Sequence, residues 1–111
     1  QSSDVILHLE VGGEFRFVSP AMKRLSGHEP ADLIGRPSAD FVHPDDLPAV
    51  AAEHRACFAE PGGTRRFRHR ARLADGSWTW VEASACAVLD EDGHPDGVVS
   101  LLRDISAHVA E

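Results

Sequence analysis

Two histidines occupy positions where a folded chain keeps apolar side chains. His54 falls on the stripe Leu47, Val50, Ala51, His54, Cys57, Phe58, spaced as on one face of a helix. His69 alternates with Phe67, Ala71 and Leu73, opposite the arginine series Arg66, Arg68, Arg70 and Arg72, as on the inner face of a strand. A buried polar group costs about 1–3 kcal/mol unless it is hydrogen-bonded. Two readings therefore stand: core histidines satisfied by a backbone carbonyl or water, or imidazoles that meet a polar guest or ligate haem iron. His43, Asp45 and Asp46 follow one another around Pro44, where acids suit helix capping and the positive helix end, so no metal site is expected there. Cys57 and Cys86 form no C-x-x-C word, which leaves neither a disulfide scaffold nor a cysteine-rich zinc site. Cys57 reads as a core residue and Cys86 as a residue of the opposite sheet face. No Ser-His-Asp word, phosphate loop or nucleophile elbow occurs, and no catalytic residue is assigned. Five of the ten arginines lie between Arg65 and Arg72. They form a solvated strand face paired with the acidic excess, or a dock for an acidic partner.

The elements that must hold these residues follow from pattern and punctuation. Val5–Leu9 and Glu14–Val18 flank Gly12-Gly13 as a hairpin. Ser19–Ser38 reads as short helical pieces stopped at Gly27 and Gly35. The one long helix opens at His43-Pro44 and ends at Pro61-Gly62-Gly63. Three strand runs follow, Thr64–Leu73, Ser77–Leu89 and Gly97–Ile105, joined at Asp75-Gly76 and at the polar loop Asp90–Pro95. Strands at both ends with helices grouped between them argue for an α+β domain with an antiparallel sheet. At 111 residues the chain has room for one domain. It is 42% hydrophobic and 26% charged with a formal charge of −7. That balance argues against a nucleic-acid binder and against attraction to anionic lipid. No run approaches the roughly 20 apolar residues of a membrane span, so no membrane insertion is expected.

This order of elements, with six short words in sequence, resembles a PAS domain, the sensory module of bacterial histidine kinases and diguanylate cyclases. The words are Phe17-Val18-Ser19-Pro20-Ala21, Leu25-Ser26-Gly27-His28, Asp32-Leu33-Ile34-Gly35-Arg36 and His43-Pro44-Asp45-Asp46. They continue with Ala74-Asp75-Gly76-Ser77-Trp78-Thr79-Trp80-Val81 and close on Arg103-Asp104-Ile105-Ser106, similar to the Asp-Ile-Thr end of the family's core. The resemblance implies a five-stranded antiparallel sheet with short helices and one longer helix over one face, and a small cavity between. It implies a domain over residues 4–106, with 1–3 a linker or cloning remnant and 107–111 the start of an exit helix. The parent is then a cytoplasmic bacterial signalling protein, most simply a sensor histidine kinase, and the domain itself is regulatory and not an enzyme.

Strand alternation names the residues facing that cavity. Leu7 and Leu9 line the first strand, Phe67, His69 and Ala71 the third, and Val81, Ala83, Ala85, Ala87 and Leu89 the fourth. The family pattern before Asp104 places Val98, Ser100 and Leu102 inward. With His54 these make the candidate ligand cavity, and so many alanines leave room for a small molecule unless Trp or Phe side chains fold back to fill it. The family's flavin photosensors carry a cysteine after the Gly-Arg word, and Gly35–Phe41 has none, which argues against a flavin photoadduct. Haem held by His54 or His69 and a passive dimerisation scaffold are the other readings. On the opposite face Trp78, Trp80, Cys86, Val88, Val99, Leu101 and Ile105 form an apolar strip expected to be covered in a homodimer. The resemblance implies that Asp104, Ile105 and Ser106 form the junction to an output domain in the same chain, with Ser106 placed to cap the exit helix and Asp104 to pair with a basic group.

Overall fold

The computed structural model describes residues 4–109, so the linker at 1–3 and the last two residues of the exit segment lie outside the described residues. Five strands, β1 (Val5–Leu9), β2 (Phe15–Val18), β3 (Arg65–Arg72), β4 (Trp78–Leu89) and β5 (Pro95–Asp104), form one antiparallel sheet in the order β2-β1-β5-β4-β3. Between β2 and β3 run α1 (Ala21–Ser26), α2 (Pro30–Leu33), two 3-10 turns (Ser38–Phe41 and Pro44–Asp46) and the longer α3 (Leu47–Ala59). A short α4 (Ser106–Val109) follows β5. The helices pack over one face, α1 on β1, α2 on β2, and α3 across β3 and β4.

The sheet builds its core by alternation. Val5, Leu7 and Leu9 of β1, Val81, Ala83, Ala85 and Ala87 of β4, and Val98, Ser100 and Leu102 of β5 are all buried on the helical side. They divide into two clusters. One gathers Leu7, Leu9, Phe15 and Ala83 around Met22 and Leu33, the other gathers Ala85, Ala87 and Val98 around the fully buried Cys57, and Phe67 packs against both. Leu89 departs from the expected inward series and is 46% exposed, because the β4–β5 register shifts between Ala87 and Leu89. A bulge of this kind turns the next side chain to the other face.

Gly97 is required where β1 meets β5. Its φ is +98°, and a Cβ there would stand 2.0 Å from the Leu9 carbonyl oxygen. Only the missing side chain lets the two backbones approach this closely.

The start of the long helix differs from its expected form. Pro44–Asp46 is a 3-10 turn, and the α-helix begins at Leu47 with Pro48 in its first turn. The two acids do not cap it. Asp45 is exposed, while Asp46 accepts hydrogen bonds from Arg70 at the backbone nitrogen (2.8 Å), Nε (3.1 Å) and Nη2 (2.9 Å). His43 caps the 3-10 turn instead, its Nδ1 accepting from the Asp45 N–H. The His43 N–H also donates to the Arg70 carbonyl, and Val42 bridges Ala71. The lead-in to α3 thus covers the open edge of β3, which would otherwise offer unpaired backbone groups to other chains.

Candidate functional site

A cavity of about 250 Å³ lies between the inner sheet face and the helical layer. Of the residues expected to line it, Leu7, Leu9, Phe67, Ala71, Ala83 and Leu102 do so, and so do the polar His54, His69 and Ser100. Val81 and Ala85 do not. Both are fully buried, Val81 in the first core cluster and Ala85 beside Cys57 in the second, where neighbours fill the space above them. Inward parity puts a side chain under the helices but does not decide whether it meets a void or a packed neighbour.

The remaining wall comes from segments whose facing the sheet pattern could not supply. Met22, Leu25 and Ser26 of α1, Leu33 of α2, Pro37, Ser38, Ala39 and Phe41, and Val50 of α3 close the cavity from above, and Gly12 and Gly13 border it. The one signal available for α1 was the spacing of Met22, Leu25 and Ser26, which share a helix face.

Burial sets the state of the two histidines. His69 is 7% exposed, and desolvation pushes its pKa below the ordinary value of about 6.5, opposed by its bond to the Arg70 carbonyl and by the charge of Asp46. His54 is half-buried and is lowered in the same direction, by desolvation first and then by the neighbouring His69. Both imidazoles are therefore neutral at pH 7. Their rings flank Phe67, with centroids 6.0 Å (His54) and 6.2 Å (His69) from the phenyl ring. Ser26 is already engaged, donating to the Met22 carbonyl and accepting from the His28 N–H. Haem does not fit this site: the cavity is smaller than the roughly 300–1,000 Å³ of sites for drug-sized ligands, and a porphyrin is a large macrocycle. No cysteine lines the cavity. Cys57 is sealed in the core, where burial raises its thiol pKa, and Cys86 is half-buried on the other sheet face.

The outer face is not one continuous apolar strip. Phe17, Ile6, Val99 and Leu101 form an apolar patch over β2, β1 and β5, with Ile6 opposite Leu101 and Phe17 opposite His8. An ionic row crosses next to it, Glu82 meeting Arg103 at 2.9 Å and Arg68 at 3.8 Å. Beyond the row, Trp80 and Trp78 lie under guanidinium groups of their cross-strand partners Arg70 and Arg72, at 5.2 and 5.9 Å from the ring centroids. The tryptophans are thus occupied by cation–π contacts, and the His43 ring packs tilted against Trp78 with centroids 4.8 Å apart. Ile105 does not belong to the open face. It is 1% exposed, and its N–H donates to the Trp80 carbonyl. At the junction the capping roles are reversed from expectation. Asp104 Oδ1 accepts from the Ser106 N–H (2.9 Å) and from Thr79 Oγ1 (3.3 Å), and among the described residues it has no basic partner.

An antiparallel sheet of this order, with a helical layer arching over a small cavity, is the architecture of a sensory module. The PAS fold family matches residues 15–102, and the chain belongs to it. It is 35% identical to White collar 2 protein of Neurospora crassa over 74 residues, covering 67% of this chain and 14% of that protein. It is 34% identical to the two-component sensor PprA of Pseudomonas aeruginosa over 92 residues, covering 81% of this chain and 10% of that protein. Among solved structures, a PAS domain from Colwellia psychrerythraea superimposes with a TM-score of 0.85 at 21% identity, covering 95% of this chain and 88% of that one. The chain thus spans about a tenth to a seventh of these curated relatives. It is a regulatory and sensory domain, and among the described residues no helix is long and apolar enough to cross a membrane.

Proposed function

We propose that this PAS domain senses a small molecule held in the cavity and works as a homodimer in a cytoplasmic bacterial signalling protein of the sensor histidine kinase type. The carrying observation is the cavity itself, walled mainly by apolar side chains yet holding the buried His69 and Ser100. A core that only had to be filled would place carbon there, since a buried polar group without a partner is destabilising. The similarity to a two-component sensor supports the parent class. The patch of Ile6, Phe17, Val99 and Leu101 supports association through the outer sheet face. Occupancy changes the inner face of β5, and the change passes through Asp104, Ile105 and Ser106 into α4 and an adjacent output domain. Replacing Ala83, in the cavity wall, with Leu fills the room and should hold the parent protein's output in one state while the domain still melts cooperatively. Output that responds normally in Ala83→Leu, with no rise in Tm from any of a panel of metabolites, would reduce the domain to a passive dimerisation scaffold.

A further inference from the structure

The cavity's wall restricts the chemistry of its guest, an inference that rests on the sensing role proposed above. Among the described residues no carboxylate lines the cavity, so a cationic guest finds no counter-charge. The one permanently charged side chain in the wall, Arg72, carries its guanidinium over the Trp78 ring of the outer face, which leaves an anionic guest equally unpaired. Desolvating an unpaired charge is costly, so the guest is neutral.

The hydrogen-bonding demand comes from His69. Its Nδ1 lies 3.2 Å from the Arg70 carbonyl oxygen, which can only accept, so Nδ1 carries the proton and Nε2 holds a lone pair. Nε2 has no partner among the described residues, and none of their side-chain nitrogens or oxygens is both sealed and unpaired. Nε2 therefore faces open space, and the open space beside His69 is the cavity. A buried acceptor in a wall that is mainly apolar calls for a guest that donates. Beside it, His54, Phe67 and His69 present three successive rings, a wall suited to edge and face contacts with an aromatic guest. A cavity of roughly 150 Å³ takes benzene, so about 250 Å³ admits one ring with substituents. The Ser100 hydroxyl stands apart. His69 is in register with Val81 and Ser100 with Ala85, four residues or about 13 Å along β4. That is beyond a single ring, and it leaves Ser100 to a substituent.

We propose that the cavity binds a neutral, single-ring aromatic molecule bearing an O–H or N–H donor, of the phenol or azole class, with that donor on His69 Nε2. The test compares phenol with toluene, its near-isostere without the donor, by titration into the intact chain followed by NMR. Partition from water favours toluene, so a preference for phenol reports the polar contact. Phenol should bind about tenfold or more tightly than toluene, with a shift of the His69 Nε2 resonance. In His69→Leu phenol should fall to the level of toluene while toluene is unchanged. Equal binding of the two in the native chain, or an unmoved Nε2 resonance, overturns the donor assignment and leaves the sensing role standing. If neither ring binds, the aromatic-guest proposal falls, and the sensing role is left to Ala83→Leu and the metabolite panel.

Discussion

Lowering the pH from 7.5 to 5.5 should destabilise this domain through His69, and the effect should vanish in His69→Leu. The imidazole is buried, and desolvation holds its pKa below the ordinary value, opposed only by the Arg70 carbonyl and the Asp46 charge. In the unfolded chain it titrates near 6.5. Below that pH the unfolded state binds a proton that the native state refuses, so stability is full above about 6.5 and falls as the pH drops toward the native pKa. One unit below 6.5 the largest possible loss from one such group is RT ln 11, about 1.4 kcal/mol. His54 acts in the same direction but is less buried and contributes less. Urea denaturation at the two pH values measures the loss. With a slope of about 1–1.5 kcal/mol per molar, His69 alone moves the midpoint by up to about 1.4 M. The decisive quantity is the difference between the native chain and His69→Leu. The variant leaves the Arg70 carbonyl bonded to the His43 N–H, so no buried acceptor is orphaned. Equal pH sensitivity in both proteins would refute the claim that His69 is buried neutral.

Other consequences are equally direct. Gly97→Ala should cost about 3 kcal/mol or more and lower Tm by about 10 °C or more, because its Cβ meets the Leu9 carbonyl at 2.0 Å and the backbone sits at φ +98°. A near-native melting curve would mean that β1 and β5 do not approach as described. Asp46→Ala removes the acceptor of the Arg70 N–H, and hydrogen exchange there should quicken roughly tenfold while β4 and β5 stay protected. Leu101→Asp should weaken the proposed homodimer at least tenfold in sedimentation, and a native chain that stays monomeric at millimolar concentration would remove that interface. Asp104→Ala in the parent protein should change output without lowering the domain's Tm appreciably, since the exposed carboxylate caps only α4 and Thr79.

Much of this architecture is written in local pattern. Strict alternation along Arg65–Arg72 and Trp78–Ala87 assigns the faces of β3 and β4, because successive strand residues point to opposite sides whatever covers them. The same rule fails at Leu89 and Ile105, where a bulge and the end of β5 break the count. Reading acids after proline as helix caps gave the wrong roles to Asp45 and Asp46. Arg70 lies 24 residues away from Asp46, and no local window contains both.

By itself the sequence determined the α+β class, the PAS family words, the inward placement of His69 and the absence of cysteine from the Gly35–Phe41 segment. These depend on residue type and short-range spacing alone. Only the tertiary structure decided that Val81 and Ala85 are packed while Ala83 borders a void, and that Nδ1 of His69 is bound and Nε2 open. It likewise decided that the tryptophans are covered by arginines. A void and a ring tautomer are set by how the helical layer sits across the sheet, through contacts between residues far apart in the chain.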